Sequence, residues 1–300
     1  MVAIIGAGIA GLSCAYFLKQ YGEEVVVYEE ASDLGAGASG NKEALINPVL
    51  SNTERSKEME WITKEAITLY KKLGFAFKGS IHLPTSEKVR RLQKSNPELI
   101  ISGEKASELA GIEIPYESVI FYKNAGSIET NKILKILSDK IDIKFNCKVS
   151  TPKPQKTIFC TGTPNFNLPL ERVRGEVAFI SPLTINIPIA YGGYILPGGV
   201  VGSSFDHGVF NDELIRQDYI LKGLKNALNI DSTYIGGRVS YRLNTPDRMP
   251  LVGEISKDVL VSLGHGSRGF QTGLVAGRVL ADYIVNKTPI PPSLDVKRYR

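Results

Sequence analysis

The chain has 300 residues, 43% of them hydrophobic and 22% charged, which fits a soluble globular protein large enough for two lobes. No apolar run approaches membrane-spanning length, and three scattered histidines with three cysteines lacking CxxC or Cys/His spacing indicate neither a disulfide framework nor a metal site. A net charge of +5 without long basic runs permits an RNA or other anionic partner, and describes a solvated surface equally well.

Residues 2–5 read as a short buried strand that leads directly into Gly6-Ala7-Gly8-Ile9-Ala10-Gly11 and an apolar helix over 12–18. Strand, glycine turn and helix in that order are the context of a dinucleotide fingerprint. Gly6 serves the tight turn, Gly8 lets backbone N–H groups approach a pyrophosphate, and Gly11 lets the helix pack on the strand with its N-terminus toward the phosphates. A second strand, 24–28, ends in Glu29 and Glu30. Glu29 lies near the spacing of an acid that accepts hydrogen bonds from an adenosine ribose and repels a 2′-phosphate. The pattern fits FAD and NAD alike. A strand beginning at residue 2 leaves no room for a signal or transit peptide, so a cytoplasmic location is expected.

After a small-residue loop over 31–41, a helix is expected over 53–73, with Met59, Ile62, Ala66, Leu69 and Tyr70 at helical spacing and Gly74 closing it. A strand at 79–83, a polar helix at 86–95 and a strand at 119–122 follow, then a helix over 129–140. Ile143, Phe145, Cys147 and Val149 alternate as in a strand, and 156–160 is a buried strand stopping at Thr161-Gly162, a turn suited to pass close beneath a cofactor. Residues 173–180, 191–196, 199–204 and 238–243 are strand-like with short turns, which predicts one antiparallel sheet in a second lobe, with a helix over 212–228. A strand at 259–262, the turn Gly264-His265-Gly266-Ser267-Arg268-Gly269 and a helix over 271–285 repeat the opening arrangement at the far end of the chain. Both ends are expected to meet one ligand.

The opening fingerprint, Gly35-Ala36-Gly37-Ala38-Ser39, Thr161-Gly162, Arg174-Gly175-Glu176, Tyr194-Ile195-Leu196-Pro197, Thr245-Pro246-Asp247 and the closing glycine turn occur in an order that resembles the D-amino-acid oxidase/glycine oxidase (DAO) family of FAD enzymes across nearly the whole chain. The resemblance favours FAD and implies an α/β fold of the DAO/glutathione-reductase type. In it a Rossmann-like FAD-binding domain (1–78, 126–170 and 245–300) is interleaved with an antiparallel-sheet substrate domain (79–125 and 171–244). It carries cofactor contacts to Gly6, Ala7, Gly8, Ile9, Ala10, Gly11, Glu29, Glu30, Gly37, Ala38, Ser39, Asn41, Val149, Thr161 and Gly162, and to Gly264, Gly266, Ser267, Arg268, Gly269, Phe270 and Gln271. Some members attach FAD through a cysteine before the Thr-Pro-Asp motif; Ser240 stands there and no cysteine follows Cys160, so non-covalent FAD is expected.

Within the family, Gly37-Ala38-Ser39-Gly40-Asn41, Asn47-Pro48 and Gly266-Ser267-Arg268-Gly269 look most like the oxidoreductase domain of the MnmC family. That domain removes the carboxymethyl group from 5-carboxymethylaminomethyluridine at the tRNA wobble position and leaves an aminomethyl group. The resemblance implies tRNA as substrate. In MnmC a methyltransferase domain precedes the oxidase, whereas here the cofactor strand starts at residue 2, so a separate methyltransferase is expected to act on the product. The oligomeric state is left open.

Such a substrate side chain is an N-substituted glycine, whose carboxylate must be anchored while the C–H beside the amine is held in register. Arginine is the natural clamp, because its planar fork binds carboxylate bidentately and stays charged. Arg242 occupies the position at which the resemblance implies that clamp; a surface strand end or an acid pair is the alternative. Tyr194 either faces the substrate or is a core or rim tyrosine. Arg268 either contacts flavin or substrate or is a helix-start arginine tied to nearby backbone. Three classes follow: a tRNA wobble-uridine oxidoreductase, an oxidase or dehydrogenase of glycine, sarcosine or a similar amino acid, and a non-catalytic FAD-containing RNA-binding protein.

Overall fold

The computed structural model describes residues 1–48, 54–163, 166–181 and 183–299, with the side chains of 54–56 and 88 left out. The expected helix start at 53 and the last residue of the tail lie outside the described residues. The chain divides into two compact units, one of Met1–Asn41, Thr130–Val173 and Tyr241–Arg300, the other of Lys42–Glu129 and Arg174–Ser240.

The first unit is built on a six-stranded sheet in the order Leu251–Ser256, Val259–Leu263, Thr157–Phe159, Val2–Ile5, Val25–Tyr28 and Asp142–Lys144. Neighbours run parallel except for the pair 251–256 and 259–263, which a tight turn joins antiparallel. Parallel neighbours need a crossover, and the helix Ile9–Gln20 supplies it between Val2–Ile5 and Val25–Tyr28. That helix lies against Gly269–Asn286. Glycine permits the approach: a Cβ on Gly277 would sit 2.5 Å from the Ser13 Cβ.

The second unit carries a nine-stranded sheet along Asp206–His207, Glu171–Ile180, Val200–Gly202, Tyr194–Ile195, Ile189–Ala190, Ser80–His82, Ser118–Tyr122 and Ile100–Ser102, with Tyr234–Asn244 paired to 171–180. The two long strands contain unit boundaries. The expected strand at 191–196 is a hairpin turning through Tyr191-Gly192-Gly193, and Ile189–Ala190 runs parallel to Ser80–His82. One sheet face packs Ile81, Ile189, Ile195 and Val201 against the helices Gly103–Ala110 and Gln217–Leu228. The opposite face gathers Val177, Leu196 and Val200 with Leu45, Phe179 and Tyr194.

Residues 42–78 and 126–129, both expected in the first lobe, group with the second unit, where Glu43–Ile46 pairs antiparallel with Gly126–Glu129. The alternation at 143–149 is strand only to Lys144, because Asn146 turns to φ +53 and the amides of Asn146 and Cys147 donate to the Ala31 and Glu29 carbonyls. The helix expected from 212 begins at Gln217. Sequence reading missed Gly103–Ala110, although its termini are marked: Ser102 Oγ caps the Lys105 N–H at 3.2 Å, and Gly111 ends it at φ +75. Among the described residues no helix is long and apolar enough to cross a membrane.

Candidate functional site

In the first unit, the opening glycines differ in what requires them. A Cβ on Gly6 would meet the Cys160 carbonyl oxygen at 2.6 Å, and one on Gly11 would meet the Gly6 oxygen at 1.9 Å. The chain's own packing excludes any side chain at those two positions. At Gly8 a Cβ would meet only the Ser39 side chain, at 3.1 Å, so this glycine keeps open a space beside the helix N-terminus. Ser39 Oγ accepts from the Ile9 N–H at 3.0 Å, which draws the 37–41 loop onto that terminus, and the first helical turn holds no acid. Asn41 closes the loop with its carbonyl, which accepts from Thr130 Oγ1.

Glu29 is buried and bends back: Oε2 accepts from Ala7 N–H at 2.6 Å and Oε1 from Ala31 N–H at 2.9 Å. Two amides use about half of a carboxylate's acceptor capacity, and hydroxyl donors can take up the rest. Glu30 is instead paired with Lys148 at 3.2 Å, with both side chains solvent-exposed. Thr161 and Gly162 follow the strand Thr157–Phe159, with Gly162 at φ +63, and Val149 packs on the cluster of Ile5 and Phe159.

The closing turn is built against a different strand end. Gly264 (φ +73) and Gly266 (φ +56) need left-handed backbone, and added Cβ atoms would lie 2.8 Å from Thr245 Cγ2 and 2.7 Å from Asn244 Oδ1. An isolated bridge joins Asn244 to His265. Arg242, two residues earlier on that strand, is buried at 8% exposure, which removes the surface-strand alternative. The His265 ring contacts Ser262 Oγ and Thr272 Oγ1, each at 3.0 Å. Desolvation lowers its pKa to about 4, so the ring is neutral near pH 7. Arg268 Nη1 donates to Gln271 Oε1 at 3.3 Å, Phe270 and Gln271 are buried, and Ser267 is exposed.

The two glycine turns lie side by side. A Cβ on Gly269 would be 3.8 Å from Ile9 Cγ2, and one on Gly273 would be 3.5 Å from the Ala10 nitrogen. Residues 1–283 match the family model described as FAD dependent oxidoreductase (DAO). The chain belongs to the DAO family. It is 24% identical to the tRNA 5-methylaminomethyl-2-thiouridine biosynthesis bifunctional protein MnmC of Campylobacter concisus, over 94% of this chain and 55% of that protein. It therefore spans about half the length of that relative. Its fold is similar to those of L-proline dehydrogenase from P. horikoshii (TM-score 0.84, 17% identity, 99% of this chain and 97% of that one) and glycine oxidase from Geobacillus kaustophilus (0.82, 17%, 99% and 97%).

A DAO-family chain uses FAD, and the residues present fit that cofactor. Space is kept over Gly8, the helix start lacks a competing acid, and Glu29 retains acceptor capacity. Tyr194 belongs to the second unit, where its ring lies over Gly202; a Cβ there would be 2.5 Å from the tyrosine Cζ. Sequence reading missed what supports the closing turn. Arg298, to which the sequence reading gave no role, donates from Nε to Asp247 Oδ2 at 2.8 Å and from Nη2 to the Met249 carbonyl at 2.7 Å. Burial pushes the Asp247 carboxyl up, but hydrogen bonds from Arg298 and Met249 outweigh it and leave the pKa below the ordinary value. Asp247 within Thr245-Pro246-Asp247 was the available signal for a partner.

Proposed function

We propose that this chain oxidatively removes the carboxymethyl group from 5-carboxymethylaminomethyluridine at the tRNA wobble position, giving 5-aminomethyluridine and glyoxylate. Likeness to MnmC across 94% of the chain carries the reading, and the buried Arg242 beside the closing turn supports it. FAD, when bound, takes two electrons with the hydrogen from the C–H beside the amine, and water then hydrolyses the imine to glyoxylate and amine.

In this reading the first unit binds FAD and also carries Arg242. The amides of Gly6, Ala7 and Ile9 donate to the Tyr28 carbonyl, Glu29 and Ser39, so the amides of Gly8, Ala10 and Gly11 at the helix start would hold the pyrophosphate, and Glu29 would accept from the adenosine ribose. Thr161 and Gly162, which follow the strand Thr157–Phe159, and Val149 support the cofactor. Backbone N–H groups between Gly266 and Gln271 would hold the flavin and supply donors to the negative charge that its reduction develops. Arg242 clamps the substrate carboxylate through its planar fork. Tyr194 faces the substrate, and Arg268 lies between turn and ligand.

Oxidation of glycine, sarcosine or a related amino acid is the second reading, favoured by the glycine oxidase fold. Anaerobic mixing separates the two. The flavin absorbance is expected to bleach with tRNA bearing carboxymethylaminomethyluridine and to persist with glycine or sarcosine, while nucleoside mass spectrometry records loss of the carboxymethyl group. Bleaching by the free amino acids alone transfers the assignment to the second reading.

A further inference from the structure

The strand Tyr234–Asn244 carries a second arginine on the side that carries Arg242. Side chains alternate along a strand, so Arg238, Ser240 and Arg242 share one face of it and Tyr241 lies on the other. The Tyr241 ring fixes which face is which, because the Arg172 guanidinium stacks on it with Cζ 3.7 Å from the ring centre. Arg172 alternates with Arg174, Glu176, Ala178 and Ile180 onto one face of Glu171–Ile180. There Arg174 is held by Glu176 and Asp206 at 2.8 and 2.9 Å, and Ala178 and Ile180 join the helix-covered core. Arg238 therefore belongs to the opposite face, with Val177, Phe179 and Tyr194.

Tyr194 on that face leans the same way. It pairs with Gly202, and Gly202 pairs with Val177, on the strand to which that of Arg238 is itself paired. The ring lies along this row, with Cζ and the hydroxyl oxygen each 2.5 Å from where a Gly202 Cβ would be. On the arginine's strand, a Cβ on Gly237 would be 2.7 Å from the Val177 carbonyl oxygen and one on Gly236 would be 3.9 Å from Phe179 Cδ2. A second cation reaches the same face: Lys42 Nζ lies 4.2 Å from the centre of the Phe179 ring. Glu43 beside it is committed to Ser127 Oγ and the Gly198 N–H, both at 2.7 Å.

Arg238 is half-buried, and burial lowers its pKa. Desolvating a guanidinium is costly, and its five donors are enough to keep a protein partner and grip an anion as well. Arg242 stands four residues further along, about 13 Å away at the rise of an extended strand. In the wobble-uridine reading Arg242 takes the carboxylate of the substrate side chain. Beyond that side chain come the base, the ribose and then a phosphate, an anion that glycine and sarcosine lack. We infer that Arg238 is a second anion-binding residue for the substrate, and that its anion is a phosphate of the nucleotide whose carboxylate Arg242 holds. The inference rests on the wobble-uridine reading and adds the group that tells a nucleotide from a free amino acid.

The test compares 5-carboxymethylaminomethyluridine with its 3′,5′-bisphosphate as reductants of the full FAD-loaded chain, mixed anaerobically over a range of concentrations. The bisphosphate is expected to half-saturate flavin reduction at about a tenth of the nucleoside concentration, the scale of one charge-assisted contact. Arg238→Gln should raise the bisphosphate constant to that of the nucleoside, and Arg238→Lys should recover part of the difference, with flavin content and melting temperature following the parent. Equal constants for the two compounds in the parent overturn the inference whatever the variants do, and leave the wobble-uridine reading standing. A phosphate advantage that survives in Arg238→Gln overturns the assignment to this arginine. Reduction by sarcosine but by neither uridine compound overturns the wobble-uridine reading, and the inference with it.

Discussion

At Arg242 the demand is geometric before it is electrostatic. A guanidinium grips a carboxylate with two parallel donors, whereas an ammonium is a point charge on a flexible stem. Arg242→Lys is expected to retain FAD and fold normally while slowing anaerobic flavin reduction by modified tRNA about a hundredfold, the scale of lost charge-assisted hydrogen bonds; unchanged kinetics in stopped flow would remove the clamp. His265 makes a different prediction. Desolvation lowers its pKa from 6.5 to about 4, outweighing a hydrogen bond at Ser262 that raises it. Between those values the unfolded chain binds a proton that the folded chain does not, so stability falls as pH drops through the window, by at most about 1.4 kcal/mol per pH unit. Melting temperatures at pH 7 and 5 should show the loss, and His265→Gln should flatten it. The histidine stands in the closing glycine turn in sequence, but its lowered pKa arises from desolvation in the folded chain, where the ring also meets Ser262 and Thr272, and no local pattern announces that environment.

At the scale of elements, the opening turn shows which glycines the fold itself demands. Gly11→Ala drives a Cβ to 1.9 Å from the Gly6 oxygen, a contact that only backbone movement relieves. Overpacking of this kind costs about 1–3 kcal/mol, so the variant should melt lower and retain less flavin on gel filtration. Gly37→Ala meets no atom within 4 Å and serves as control: its melting temperature should match the parent. The fingerprint was legible because strand, turn and helix are adjacent in sequence and each glycine serves its immediate neighbours. Other elements were less legible. Whether residues 143–149 continue as a strand depends on the Ala31 and Glu29 carbonyls, more than a hundred positions away in the chain. The start of the helix at Gln217 depends on Arg174 and Glu176 in the same way.

For the whole molecule, a cofactor that binds only the folded state adds stability by mass action. FAD supplied at a hundred times its dissociation constant should restore about 2.7 kcal/mol to flavin-stripped protein, read as a rise in the denaturation midpoint; an unchanged midpoint would count against a built site. The amino-acid order alone showed a nucleotide-type strand, turn and helix, because apolar runs and glycine spacing act over a few residues, and the resemblance to the DAO family carried that reading to FAD and the Rossmann-like sheet. Tertiary structure alone decided that residues 42–78 join the second unit, that Glu30 turns to Lys148 while Glu29 folds back on Ala7, and that Arg298 secures Asp247. Each of those outcomes depends on a partner distant in sequence, which only the folded chain brings within hydrogen-bonding or ion-pairing reach.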